Sequence, residues 1–192
     1  MPDPNPAVME FLLTRRSRPA KTLVAPYPDR NALMPILTAA ARSPDHGKLE
    51  PWRFVVLERP ALERLSALAV RRGTELGLDP DKIEKQRQTW AGSGLAVVVV
   101  SSPVTSDKIP RIEQVYSAGA VCLALLNAAQ AAGWGANWLT GWPAHDPGFA
   151  QQGLGLAQDE SVAGVIHLGT ETATPPDRPR PDVNAITTWI GE

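Results

Sequence analysis

Leu95-Ala96-Val97-Val98-Val99-Val100 is an uncharged, β-branched run, bounded by Gly94 on one side and Ser101-Ser102-Pro103 on the other. Such a run reads as a central strand. Working outward, Phe54-Val55-Val56-Leu57 reads as a second buried strand and Val162 to Leu168 as the last. Between them the apolar spacing turns helical. Pro60 suits a first helical position, with Leu62, Leu65, Leu68 and Ala69 as the apolar face, and Asp79-Pro80 reads as a cap opening a helix toward Trp90. From Glu113 to Ala132 small residues (Ala118, Gly119, Ala120, Ala124, Ala128, Ala131) leave few polar positions on any face. A helix apolar almost all round belongs in a core or against a partner subunit. Alternating helices and strands, taken alone, suggest a parallel doubly wound sheet.

Toward the ends the pattern is looser. Ala7 to Leu13 has helical spacing, with Arg15 and Arg16 expected in the last turn, where cations complement the helix dipole. A loop punctuated by Pro19, Pro26 and Pro28 leads to a helix capped by Asp29 and running to Ala41, with Pro35 awkwardly inside it. Gly133 to Gly141 leads into a strand and loop, and Asp146-Pro147 caps a short helix. The tail, Pro175-Pro176-Asp177-Arg178-Pro179-Arg180-Pro181, reads as an extended arm with a short apolar end at Ile186, Trp189 and Ile190.

Composition narrows the class. A chain of 192 residues suits one domain over 1–192, with about 175–192 as its arm. Nineteen basic against twenty acidic residues give a net charge of -1, which argues against a nucleic-acid surface. One cysteine, Cys122, excludes an intrachain disulfide and suits a reducing cytoplasm. No basic and apolar leader opens the sequence, and the apolar stretch Gly119–Leu126 is too short to span a bilayer, so no membrane is expected. Three histidines and one cysteine without close pairs point to no metal. No Gly-x-Ser-x-Gly elbow, Walker loop or Gly-x-Gly-x-x-Gly turn is present, which weakens hydrolase, NTPase and Rossmann readings.

Two segments carry possible chemistry. Arg15-Arg16-Ser17 offers guanidinium forks and a hydroxyl that could cradle a phosphate; basic residues closing a helix are the commoner meaning of such a triplet in isolation. Arg42 and His46 bracket a Ser-Pro-Asp turn that either presents donors to a ligand's polar edge or is a solvated turn. Trp52 more often packs a core than stacks on a cofactor, and Cys122 reads as a packing residue.

Together, Arg15-Arg16-Ser17, Arg42-Ser43-Pro44-Asp45-His46 and Pro51-Trp52-Arg53-Phe54 resemble the short, YdjA-like branch of the FMN-dependent nitroreductase family. Lys108 to Gln114 before Ser117-Ala118-Gly119, Gly133 to Trp138, and Leu168-Gly169-Thr170 are similar to the same branch. The resemblance implies an α+β fold: a central, mixed, mainly antiparallel sheet flanked by helices, a long buried helix, and a homodimer. It implies FMN at the subunit interface, with Arg15, Arg16 and Ser17 from one subunit, Arg42 and His46 from the other, and Trp138, Leu139 and Thr140 lining the flavin. The implied activity is that of an NAD(P)H oxidoreductase. NADH or NADPH reduces the flavin and a nitroaromatic, quinone or related small molecule is reduced in turn, by a ping-pong scheme that requires no side-chain acid or base. A non-catalytic dimer that sequesters or senses a flavin or phosphate ligand is the alternative, and a purely structural dimer a third. Three departures stand out. Lys48 and Glu50 replace the family's frequent asparagine and glutamine, Leu139 replaces a basic residue common in the short branch, and the phosphate-binding C-terminal arginine of longer relatives has no clear match in the proline frame of Arg178 and Arg180.

Overall fold

The Asn5 side chain accepts from the Val8 N–H and opens helix α1 (Pro6–Thr14), with proline at the position where a missing N–H costs nothing. The computed structural model describes residues 3–191. It continues through β1 (Leu23–Val24), α2 (Arg30–Ala40), β2 (Trp52–Glu58), α3 (Arg59–Glu75), α4 (Pro80–Ala91), β3 (Leu95–Ser101), α5 (Arg111–Ala131), β4 (Gly135–Leu139), α6 (Trp142–His145), α7 (Pro147–Leu154) and β5 (Ser161–Glu171). Asp29 caps α2 through the Ala32 N–H, and Pro35 is tolerated inside the helix. Arg15 lies beyond α1. Its N–H closes the last turn on Phe11 O, and its backbone then turns extended (ψ 143°), so Arg15 and Arg16 leave the helix instead of sitting in its last turn.

The sheet has five strands. β3 lies between β2 and β5, while β1 and β4 also pair with β5. Every pairing among the described residues is antiparallel, so the sheet is neither parallel nor mixed. The connections explain this. A single crossover helix reverses the chain once and returns a parallel neighbour, whereas the α3–α4 pair reverses it twice and brings β3 back alongside β2 in the opposite sense. β3 and β4, joined by α5 alone, do run the same way, but β5 separates them.

β3 is buried along its whole length, and its alternation serves two cores. Ala96, Val98 and Val100 face Leu62, Leu65, Trp90 and Phe149 on one side. Leu95, Val97 and Val99 face Leu33, Ile36, Val121, Cys122 and Leu125 on the other. Helices on both faces of the sheet make an α+β sandwich. Burial pushes the Cys122 thiol up to about 12, so it is a packing group and not a nucleophile at neutral pH.

α5 is long and apolar enough to cross a membrane, yet one side of it packs on the sheet through residues such as Val121, Leu125 and Ala129. Burial is not complete around its circumference. Ile112, Val115, Tyr116 and Leu123 form an exposed stripe, and α1 has no buried residue at all.

Asp146 fixes the far side of the sheet. Its carboxylate accepts from the Phe149 N–H at 2.9 Å as the α7 cap, and from Arg72 Nε and Nη2 at 2.8 and 3.0 Å. The Arg72 fork, more than the opposing cost of burial, holds the Asp146 carboxyl below the usual carboxylate range. Loss of a cap and of a buried acceptor together predict that Asp146→Ala costs about 2 kcal/mol in urea unfolding, with Asp146→Asn, which keeps the cap, costing about half as much.

Candidate functional site

Arg15, Arg16 and Ser17 occupy the strand-like segment that follows α1. Gln130, on α5, pins this segment: its amide donates to Arg16 O at 2.7 Å and Ala136 O at 3.3 Å, and its Oε1 accepts from Arg15 Nε at 3.0 Å. Arg15 Nη2 then reaches Ser17 Oγ at 3.2 Å. Next, the Arg18 N–H donates to Ala136 O at 2.9 Å and Asn137 donates to Arg18 O at 2.8 Å, tying the segment to β4.

The tail folds back over this segment. Residues 172–191 contain no helix or strand. Arg178 and Arg180 nevertheless converge with Arg15, Arg16 and Ser17 on one cavity of about 420 Å³. Four guanidiniums sharing so small a space repel one another. Burial, followed by the charges of Arg180, Arg16 and Arg18, holds the Arg15 guanidinium below its ordinary value. Arg16 Nε is buried without a hydrogen-bond partner. The donor set therefore suits a multiply charged oxyanion, which would relieve the repulsion and meet the orphan donor.

From this cradle a polar strip runs on along the same segment. A cavity of about 450 Å³ is lined by Pro19, Ala20, Lys21, Lys85, Gln88, Thr89, Asn137 and Leu139. A second, of about 290 Å³, shares Lys85, Thr89 and Leu139 and extends past Gln86 and Thr140 to Trp90 and His167. The Ser93 hydroxyl donates to Leu95 O at 3.2 Å and so accepts from His167 Nδ1 at 2.9 Å, leaving the buried His167 neutral with Nε2 as an acceptor. Burial pushes its pKa down to about 4. A flat heterocycle with donors and acceptors on one edge suits this strip.

Trp138 points the other way. A Cβ on Gly164, two residues along β5 from Trp138's register partner Ile166, would fall 2.1 Å from Trp138 Nε1 and 2.9 Å from Cys122 Sγ, so the absence of a side chain there admits the indole. Of the three residues expected to line the flavin, Leu139 and Thr140 line the strip and Trp138 does not.

Arg42 and His46 are apart from all this. His46, with Pro44 and Asp45, lines a shallow cavity of about 480 Å³ beside Glu113, Tyr116 and Ser117 on α5. His46 Nδ1 meets Glu113 Oε2 at 2.7 Å. Trp52 Nε1 donates to Ser117 Oγ at 3.1 Å and Ser117 Oγ to Pro44 O at 2.9 Å, which fastens the loop to α5. The loop is sharply bent: Gly47, Lys48 and Glu50 all have positive φ (76°, 56° and 50°), and the Glu50 N–H bonds the Asp45 carboxylate. Positive φ is more readily adopted by asparagine than by lysine or glutamate. Arg42 is exposed. Within one chain, then, Arg15–Ser17 with Leu139 and Thr140 form one locus and the His46 loop another.

The sequence names Arg178 and Arg180 without placing them, and gives no sign of Lys21, Lys85, Gln86 or Thr89, which come together only as α4, the Ala20–Thr22 turn and the end of β4 border the same cavities. Among the described residues no three His, Cys, Asp or Glu side chains converge as a metal site would require.

Comparison with known proteins adds the following. Residues 12–170 match the profile of the nitroreductase family. The chain is 35% identical over 162 residues to YdjA of Escherichia coli K12, named as a candidate NAD(P)H nitroreductase, covering 84% of this chain and 87% of that one. A Haemophilus influenzae protein of like name is 32% identical over 163 residues, with the same coverage of 84% and 87%. Among solved structures, a nitroreductase-like protein from Bacillus cereus superposes with a TM-score of 0.78 at 20% identity, over 99% of this chain and 98% of the other. One from Desulfovibrio desulfuricans, crystallised with FMN, superposes at 0.73 and 20% identity, over 99% and 100%.

Proposed function

The chain belongs to the nitroreductase family, and from that premise we propose that it is an FMN-dependent NAD(P)H oxidoreductase working as a homodimer. The observation that carries this reading is the convergence of four guanidiniums and Ser17 on one cavity at the head of a polar strip. Arg15, Arg16 and Ser17, with Arg178 and Arg180 from the tail, hold the FMN phosphate. The strip from Pro19 to Thr140 takes the flavin ring, with Lys21, Lys85, Gln88 and Asn137 offering donors to its polar edge. Leu139 lines the ring, and Trp138 braces the strand from behind.

Arg42 and His46 complete the site from the second subunit. The exposed stripe of α5, the wholly unburied α1 and the bare Ile186, Trp189 and Ile190 of the arm are the apolar surface that a second copy covers. The whole chain acts as one such domain, with an arm from about residue 175. Its buried, free Cys122 accords with a reducing compartment, and we place the enzyme in the cytoplasm.

When bound, FMN supplies the hydride chemistry, taking two electrons from NADH or NADPH and passing them, in ping-pong order, to a nitroaromatic, quinone or related acceptor. The side chains supply none of that chemistry. They anchor the phosphate, orient the ring and keep water from it.

A visible spectrum tests the assignment. Purified protein is expected to be yellow, to bleach under NADH or NADPH without oxygen, and to recover its colour on adding a quinone. Colourless protein that takes up no added FMN sinks the reading. Bound flavin with no acceptor-dependent oxidation of NADH or NADPH would leave a sequestering protein instead.

A further inference from the structure

Beyond Thr172, which bonds Thr22 O through its N–H and hydroxyl at 3.1 and 3.0 Å, the tail's hydrogen bonds and ion pairs with the body, among the described residues, run through one residue. Arg16 Nη2 donates to Pro176 O at 3.0 Å, and Arg16 Nε lies 3.8 Å from Asp177 Oδ1, too far for a hydrogen bond. The same Asp177 oxygen accepts from Arg180 Nη2 at 3.2 Å and from the Arg178 N–H at 2.8 Å. One carboxylate thus stands between a cation of the body and a cation of the tail, at the edge of the cavity those arginines line. It is 77% exposed, so released into water it loses little.

We propose that Asp177 is an internal stand-in for the phosphate, holding the arm across the cradle in the free protein and yielding Arg16 and Arg180 when a phosphate monoester binds. The inference rests on the reading of this cavity as the phosphate site. A phosphate monoester carries up to two charges and three oxygens against one charge and two oxygens for a carboxylate, so it satisfies more of the four guanidiniums. The exchange keeps the arm attached throughout, first by its own aspartate and then by the ligand. It also sets a tax on affinity, because every phosphate must first displace Asp177.

Flavin fluorescence titration of Asp177→Asn tests the exchange. FMN is expected to bind about fivefold more tightly than to the wild-type protein, the size of one surface ion pair, while riboflavin, which lacks the phosphate, binds equally to both. Unchanged or weaker FMN binding by Asp177→Asn overturns the proposal, as does an equal gain for riboflavin. Limited proteolysis of the arm by proteinase K, at sites such as Ala173 and Val183, gives a readout that needs no flavin. In phosphate-free buffer the variant's arm is expected to be cut several-fold faster than the wild-type arm, and inorganic phosphate to restore its protection. Equal cutting of both proteins, with and without phosphate, also overturns it. Phosphate-restored protection in a protein that takes up no FMN would support the latch while removing the flavin reading, so the two failures are separable.

Discussion

Arg15→Ala is expected to lower FMN affinity by about 10- to 100-fold, the value of one or two charge-assisted hydrogen bonds. The effect is large because Arg15 is held ready: Gln130 Oε1 fixes its Nε and Ser17 its Nη2, so little freedom remains to be lost on binding. The backbone will stay in place without it, since the Gln130 amide still donates to Arg16 O. Arg15→Lys keeps the charge without the fork and should fall between the two. Riboflavin affinity should hardly move in either variant. Arg42→Ala, on the other half of the proposed two-subunit site, is expected to weaken FMN as well. If both alanine variants remain dimeric and hold FMN as the wild-type protein does, the site has been misplaced.

The second large effect is on stability in acid. His167 has an ordinary pKa near 6.5 in the unfolded chain and about 4 in the fold, where burial excludes its charged form. Below pH 6.5 the unfolded chain therefore binds a proton that the folded chain does not. Stability falls as the pH drops from 6.5 to 4, by about 3 kcal/mol in total. Carboxylates act lower down. Glu160, held at about 2 chiefly by the Arg53 fork, contributes stability that is present above its unfolded value and is lost only as the pH falls toward 2. Urea unfolding at a series of pH values should thus show a distinct slope between 6.5 and 4. His167→Leu is expected to flatten it, because Ser93 keeps Leu95 O as a partner. A slope unchanged in that variant would assign the acid loss to other groups.

What could be read from the chain follows the strength of local signals. The run at Leu95–Val100 announces a strand buried on both faces, and the caps at Asp29, Asp79 and Asp146 announce three helix starts, because these signals sit within a few residues of their effect. Strand direction does not. It depends on the number of helices in each connection, and reading α3 and α4 as one alternating unit yields the wrong sheet. β1, two residues long, has no pattern of its own and exists because β5 offers it an edge. The cradle was half visible. Arg15-Arg16-Ser17 is a contiguous motif, whereas Arg178 and Arg180 are separated from it by the whole sheet, and prolines give a stiff tail no direction. The strip residues Lys85, Gln86 and Thr89 look like the polar face of any amphipathic helix until β4 lies beside them.

Gly164 has a consequence for the history of such chains. It sits at the irregularity where the pairing of β3 with β5 shifts register, between Val99 and Val100, and the space a methyl would take is filled by the Trp138 indole. A side chain at 164 therefore requires the indole at 138 to shrink or to move aside. Positions 138, 164 and 122 are thus coupled in volume, behind the strand that carries Leu139 to the polar strip.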